Sequence, residues 1–138
     1  MIRWATPADL SALWRVMRET DQMVPAYTYV GMDGQILVDD ANGILRGFLT
    51  LDLGRPETHI RAFGVAPLFQ GNGRVGLRLL RAATEVARSH GAQGLEGFAY
   101  SDKAAAEYYR RGGAVLDPGV RVRVDLTRPS LITEGDGR

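Results

Sequence analysis

Residues 65–80, with the sequence VAPLFQGNGRVGLRLL, decide the fold class of this chain. They join a segment of alternating apolar residues to a long amphipathic helix through three closely spaced glycines. The first N–H groups of a helix have no partner within the helix, and the helix dipole adds positive potential at the same end. A glycine-rich loop that leads from a strand into such a helix therefore predicts a binding site for an anion.

The segments around this stretch predict a mixed sheet with helices packed on it. Residues 35–39, 44–53 and 58–65 have the pattern of strands, and Asn42-Gly43 is a strong signal for a tight hairpin between the first two. Leu10, Leu13, Trp14 and Met17 form the predicted apolar face of a first helix. The other predicted elements are a strand at 2–5, the opening of the first helix at Thr6-Pro7, a helix from the glycine stretch to His90-Gly91, strands at 95–100, 114–116 and 120–126, and a short helix at 102–111. Hairpins followed by helical crossovers define an α/β, or α+β, domain.

Length and composition exclude several classes of protein. The 138 residues suit one domain, which we place at residues 1–126, with a polar tail at 127–138 that we expect to fray. A net charge of +1 gives no reason to expect nucleic acid or a membrane as partner. The chain has no cysteine, no apolar run near the roughly 18 residues of a membrane span and no signal-peptide pattern at its start, so we expect a cytoplasmic protein. His59 and His90 lie far apart in sequence, and no spacing typical of metal ligands occurs.

The three glycines admit a dinucleotide-binding interpretation. Gly71, Gly73 and Gly76 have the required spacing, and Glu96 lies about 20 residues further on. However, residues 67–70 separate the predicted strand from Gly71, hairpins precede the loop, and only about 60 residues follow it, too few for a doubly wound sheet. A nicotinamide-dependent oxidoreductase is therefore an alternative of low weight.

The same stretch resembles the acetyl-CoA-binding segment of the GNAT acetyltransferases. The residues that carry the resemblance are Val65, Pro67, Gln70, Gly71 and Gly73, followed by Val75, Gly76, Leu79 and Leu80. Gly76 comes one residue later than the family spacing, which indicates a one-residue insertion at about Arg74.

Two further regions extend the resemblance over nearly the whole chain, to about Leu126. The first is similar to the family's Asn-x-x-Ala-x-x-Phe-Tyr-x-x-x-Gly-Phe segment and comprises Asp102, Ala105, Tyr108, Tyr109, Gly113 and Ala114. The second is the opening of the chain, Ile2-Arg3-x-Ala5-Thr6-Pro7-x-Asp9. The resemblance implies a GNAT-like mixed, mostly antiparallel sheet of about seven strands, with helices on both faces and a V-shaped splay between strands four and five.

The resemblance also implies a cofactor, acetyl-CoA, and the residues that bind it. Backbone groups of Phe63 and Val65 would pair with the pantetheine amides as an added strand would. Arg74, Arg78 and Arg81 would add charge near the phosphates, or form only the solvated face of the helix. The full set of implied cofactor-binding residues is Phe63, Gly64, Val65, Gln70, Gly71, Asn72, Gly73, Arg74, Val75, Gly76 and Asp102.

The implied reaction is transfer of an acetyl group to a primary amine of a small molecule or a protein. The resemblance also leaves a homodimer open, since homodimers are common in the family. Tyr109 occupies the position of the family's thiolate-protonating tyrosine, with Tyr108 as the competing choice if the register slips by one.

His59, six residues before Val65 and expected on the same strand face, is the first candidate for the general base, and Glu57 is the second. A non-catalytic module that binds acyl-CoA without turnover is the alternative function.

Overall fold

The computed structural model describes residues 1–20, 35–71, 74–98, 115–116 and 121–127. Within them lie seven strands and two α-helices, in the order β1 (Ile2–Trp4), α1 (Leu10–Glu19), β2 (Ile36–Ala41), β3 (Ile44–Asp52), β4 (Glu57–Val65), α2 (Arg74–Ser89), β5 (Gly94–Phe98), β6 (Val115–Leu116) and β7 (Arg121–Asp125). The segment at 21–34, the predicted short helix at 102–111 and most of the predicted tail lie outside the described residues.

The seven strands form one mixed sheet in the order β1-β2-β3-β4-β5-β7-β6. All neighbouring strands are antiparallel except β4 and β5, which are parallel. This topology confirms the predicted GNAT-like sheet and differs from the doubly wound parallel sheet of the dinucleotide-binding interpretation. None of the helices within the described residues has both the length and the apolar character that a membrane span needs.

The two helices pack on opposite faces of the sheet, as predicted. The cluster under α1 contains Leu13, Val16 and Met17 together with Val38 and Phe48. The cluster under α2 contains Val75, Leu79, Leu80 and Ala83 together with Leu37 and Leu49. Because Leu37 and Val38 are neighbours on one strand, their side chains point to opposite faces, and the two clusters are therefore separated by the sheet. Val16, which lies outside the predicted apolar face of α1, is fully buried, whereas Trp14 is only partly buried.

The hairpin between β2 and β3 turns at the predicted Asn-Gly pair. Asn42 and Gly43 have φ of 54° and 88°, which is the left-handed conformation that a type I′ turn requires at both positions. The Gly43 N–H also donates to Asp40 Oδ1 at 2.7 Å. The local sequence therefore fixes this turn and the two residue pairs next to it, beyond which a bulge between Asp39 and Asp40 shifts the register.

The start of α1 is held by an acidic side chain that bonds in two directions. A single 3₁₀ turn at Pro7–Asp9 leads into the helix, with Thr6 at its N-cap as predicted. Asp9 accepts hydrogen bonds from the Thr6 N–H at 2.8 Å and from both terminal nitrogens of Arg3 at 2.8 and 2.9 Å. The hydrogen bonds from Arg3 are the main reason that the pKa of Asp9 falls from 3.8 to about 2.

We expect Asp9→Asn to lower the Tm at neutral pH by a few degrees, or about 1–2 kcal/mol, because the charged acceptor for Arg3 is lost. The pKa of Asp9 is lower in the folded protein than in the unfolded chain, so its ionised form stabilises the folded state at any pH above the unfolded pKa of 3.8. This stabilisation is lost as the pH falls through the folded pKa of about 2. The difference in Tm between the two proteins will therefore be complete above about pH 4 and will disappear towards about pH 2. Thermal unfolding followed by circular dichroism across this range measures it, and a difference that does not change with pH would contradict the assignment.

Candidate functional site

The parallel strands β4 and β5 pair at one end only and then separate. Their register joins Glu57 to Gly94, Thr58 to Leu95 and His59 to Glu96, and no later pair occurs among the described residues. Beyond this point β4 continues to Val65 against β3, while β5 continues to Phe98 against β7. The predicted V between strands four and five is therefore present, with the His59–Glu96 pair at its vertex.

The backbone at the end of β4 faces this gap. The Ala66 N–H donates to the Arg46 carbonyl on β3 at 2.8 Å, so the Val65 carbonyl of the same peptide points the opposite way, towards the gap. Because successive residues of an antiparallel pair alternate in direction, the backbone groups of Phe63 point to the same side. The Gln70 side chain donates its Nε2–H to the Val65 carbonyl at 2.7 Å. One edge of β4 is thus turned towards the side where a neighbouring strand would otherwise lie.

The glycine loop begins where the gap is open. Gly71 has a φ of 94°, and a Cβ at this position would meet nothing within 4 Å. The helix α2 begins at Arg74, which is exposed, while Val75 and Gly76 are buried. The insertion predicted at about Arg74 would fall in the first turn of this helix, and it remains a prediction. Asn72 and Gly73 lie outside the described residues.

A buried carboxylate ties together the elements beside the loop. Asp39 on β2 is fully buried and pairs with Arg46 on β3 at 2.9 Å, with Arg78 on α2 at 3.1 Å and with the N-terminal ammonium at 3.1 Å. Burial alone raises the pKa of Asp39, but the hydrogen bonds from Arg46, the N-terminus and Arg78 outweigh it and hold the pKa below its ordinary value. The guanidinium of Arg46 also lies 5.9 Å from the ring centroid of Phe69. One predicted phosphate ligand, Arg78, is therefore engaged by the protein itself.

A row of charged residues crosses the sheet at the vertex of the V. The strand register places Asp52 on β3 opposite His59 on β4, His59 opposite Glu96 on β5, and Glu96 opposite Arg123 on β7. His59 Nε2 lies 3.2 Å from Glu96 Oε2. Side-chain pairs directly opposite each other on adjacent strands stabilise a sheet, so this row has a structural role in any case. We refer to these four residues as the charge ladder.

Two further residues flank the charge ladder. Arg61 pairs with Asp52 at one end, and Glu57 Oε1 pairs with Arg123 Nη2 at 2.7 Å at the other. Gly94 lies directly below the second pair, because a Cβ there would overlap the ends of both side chains. Sequence reasoning did not find the ladder, because its members are brought together by strand register, which separate strand patterns do not reveal.

The orientation of His59 differs from the predicted one. Val65 and Ile60 both pack in the cluster under α2, although they are five residues apart and would point to opposite faces of a regular strand. A β-bulge accounts for this. Thr50 pairs with Ala62 and Leu51 with Ile60, so β4 has one extra residue between these two pairs, and its side chains change face there. His59, next to Ile60, is therefore on the α1 side of the sheet. The expectation that it shares a face with Val65 was wrong, because a bulge reverses the alternation.

Gly64 allows the end of α1 to contact the middle of the site. A Cβ at this position would lie 2.7 Å from Thr20 Oγ1, at the C-cap of α1, and 3.0 Å from Phe48 Cε1. Thr20 Oγ1 is itself fixed by donating to the Val16 carbonyl at 2.7 Å. The absence of a side chain at Gly64 therefore sets the distance between α1 and the edge of the gap.

We expect Gly64→Ala to destabilise the protein by about 1–3 kcal/mol, because the new methyl group forces Thr20 or Phe48 to move. Urea unfolding measures this loss. The matched double variant combines Gly64→Ala with Thr20→Gly. The second substitution removes the Thr20 atoms that the new methyl group would contact, so the double variant will recover part of the stability lost in Gly64→Ala alone. A single Gly64→Ala variant as stable as the wild type would show that the contact is not tight.

With this geometry established, the relationships of the chain can be stated. Residues 5–113 match the Acetyltransferase (GNAT) family, and the chain belongs to this family. No curated protein is close enough in sequence to count as a match.

Solved structures share the whole architecture at low sequence identity. The ribosomal-protein-S18-alanine N-acetyltransferase from Escherichia coli is 17% identical with a TM-score of 0.78, over 94% of this chain and 95% of that one. A protein from Salmonella typhimurium, solved with its cofactor acetyl-CoA, is 19% identical with a TM-score of 0.71, over the same shares of the two chains. The PaiA N-acetyltransferase from Thermoplasma acidophilum, in complex with coenzyme A, is 17% identical with a TM-score of 0.71, over 91% of this chain and 98% of that one. At these identities the similarity shows the fold.

The structure brings most of the predicted site residues into one continuous region. Phe63, Gly64 and Val65 line the end of β4, and Gln70, Gly71, Arg74, Val75 and Gly76 follow along the loop and the first turn of α2. His59 and Glu57 lie at the other end of β4, near the vertex. Tyr108, Tyr109, Asp102, Asn72 and Gly73 lie outside the described residues. Their predicted roles remain predictions.

Proposed function

We propose that this protein is an acetyl-CoA-dependent N-acetyltransferase that acetylates a primary amine of a small molecule or a protein. The observation that carries the proposal is the gap between β4 and β5, which opens at a glycine loop and a helix N-terminus and closes at a cluster of ionisable side chains. Membership of the GNAT acetyltransferase family supports it.

The residues present fit the chemistry of coenzyme A. The Val65 carbonyl is directed at the gap, and beside the hydrogen bond from Gln70 it has a second lone pair that could accept from a pantetheine amide, as it would from a neighbouring strand. The N-terminus of α2 is suited to a pyrophosphate, and among the described residues nothing lies within 4 Å of a Cβ placed on Gly71. The proposed binding set is Phe63, Gly64, Val65, Gln70, Gly71, Asn72, Gly73, Arg74, Val75, Gly76 and Asp102.

Acetyl-CoA would supply the acyl group as a thioester, and direct attack by the amine needs no enzyme nucleophile, which suits a chain without cysteine. His59 would take the proton of the attacking amine. Glu57 is less suited to this role, because its Oε1 is engaged by Arg123 at 2.7 Å. Tyr109 would donate a proton to the leaving thiolate.

The first test is a thermal-shift comparison with acetyl-CoA, coenzyme A and NADH. A ligand at 100 times its Kd adds roughly 2.7 kcal/mol of stability, which raises the Tm by several degrees in a domain of this size. We expect a rise with acetyl-CoA and coenzyme A and none with NADH. No rise with acetyl-CoA would overturn the proposed function. Binding without thiol release against a panel of amines would instead favour the non-catalytic acyl-CoA-binding module.

A substitution at Tyr109 tests the proposed acid. We expect Tyr109→Phe to lower kcat about 100-fold, because a general acid contributes at least this factor, while the Kd for acetyl-CoA stays nearly unchanged. Thiol release measures kcat, and calorimetry measures the Kd. Tyr108→Phe is the matched control. A large loss in that variant and none in Tyr109→Phe would move the acid to Tyr108.

A further inference from the structure

The His59–Glu96 contact has a special position in the sheet. These two residues form the last pair of β4 and β5 before the strands separate, and their side chains meet at 3.2 Å on the α1 side. The vertex of the V is where the gap ends, so this pair lies at the closed end of the gap.

Glu96 is the more buried member of the pair. Its side chain is only 14% exposed, compared with 49% for His59. On its other side, Glu96 Oε1 lies 4.0 Å from Arg123 Nε, an ion-pair distance longer than a hydrogen bond, and Arg123 pairs with Glu57 at 2.7 Å. The carboxylate is therefore largely shielded from solvent, while the imidazole that it contacts is half open to solvent.

The contact with Glu96 favours one tautomer of His59. An ionised carboxylate can only accept, so at a separation of 3.2 Å it stabilises the tautomer that carries its hydrogen on Nε2. The lone pair of the neutral imidazole is then on Nδ1.

We propose that Glu96 is a positioning residue for His59 in the acetyl transfer. It holds the imidazole with Nδ1 as the basic atom, and it compensates the positive charge that forms when Nδ1 takes the proton of the attacking amine. His59 then returns this proton to solvent, to which it is half exposed. The proposal depends on the proposed N-acetyltransferase function and adds a residue to it.

A double-mutant cycle tests the proposal with the amine that gives the fastest thiol release. The variants are His59→Ala, Glu96→Leu and the two combined. We expect Glu96→Leu to lower kcat about 10- to 100-fold, as misplacement of a catalytic group does, with the Kd for acetyl-CoA unchanged. The combined variant will be no slower than His59→Ala, because Glu96 acts only through His59.

Two single variants sharpen this cycle. Glu96→Gln keeps an oxygen that can accept from Nε2–H but cannot compensate the charge, so its kcat will lie between those of the wild type and Glu96→Leu. Glu85→Gln, which removes an exposed pair with Arg88 on α2, is the control and will leave kcat unchanged. Losses that multiply in the combined variant, or a Glu96→Leu variant with normal kcat, would overturn the proposal.

An NMR measurement separates failure of this proposal from failure of the proposed function. If the wild type binds acetyl-CoA but acetylates no amine, the function fails and the cycle cannot be run. The contact is then tested directly by the imidazole nitrogen shifts of His59 in the wild type and in Glu96→Leu, with His90 as internal reference. We expect the His59 shifts to change and those of His90 to stay fixed. Unchanged His59 shifts would overturn the positioning role whatever the activity.

Discussion

The separation of β4 from β5 after three residue pairs is the constraint on which the rest of the site depends. A strand that loses its neighbour leaves backbone groups without sheet partners, and an unsatisfied buried backbone group is costly. The Val65 carbonyl meets part of this demand through the side chain of Gln70. Because the backbone groups of Phe63 and Val65 point to the same side, the separation of the two strands sets the direction in which this edge of β4 can form hydrogen bonds.

Two electrostatic clusters hold the sheet on either side of this gap. Asp39 fastens β2 and β3 to α2 beside the glycine loop, so the helix N-terminus keeps its position at the open end. The charge ladder of Asp52, His59, Glu96 and Arg123 spans β3, β4, β5 and β7 at the closed end. The carboxylate at the centre of the first cluster is fully buried, whereas the second cluster contains an imidazole that is half exposed.

The errors of sequence reasoning had definite physical causes. The bulge in β4 reversed the face of His59, because alternation predicts a side only for an unbroken strand. The pairing of Arg78 with Asp39 was not predicted, because the two residues are 39 positions apart in sequence. The apolar face of α1 included Trp14 in place of Val16, since helical periodicity does not reveal how far a neighbouring strand extends over the helix.

The sequence alone determined what is local: the Asn42-Gly43 turn, the start of the first helix at Thr6-Pro7, and the strand, glycine loop and helix that predict an anion site. These features follow from backbone conformation and helix polarity, which depend on nearby residues. Only the tertiary structure decided which side chains meet across strands. The pairing of His59 with Glu96 and the burial of Asp39 between two arginines depend on register and on a bulge, and these are set by the packing of the whole sheet.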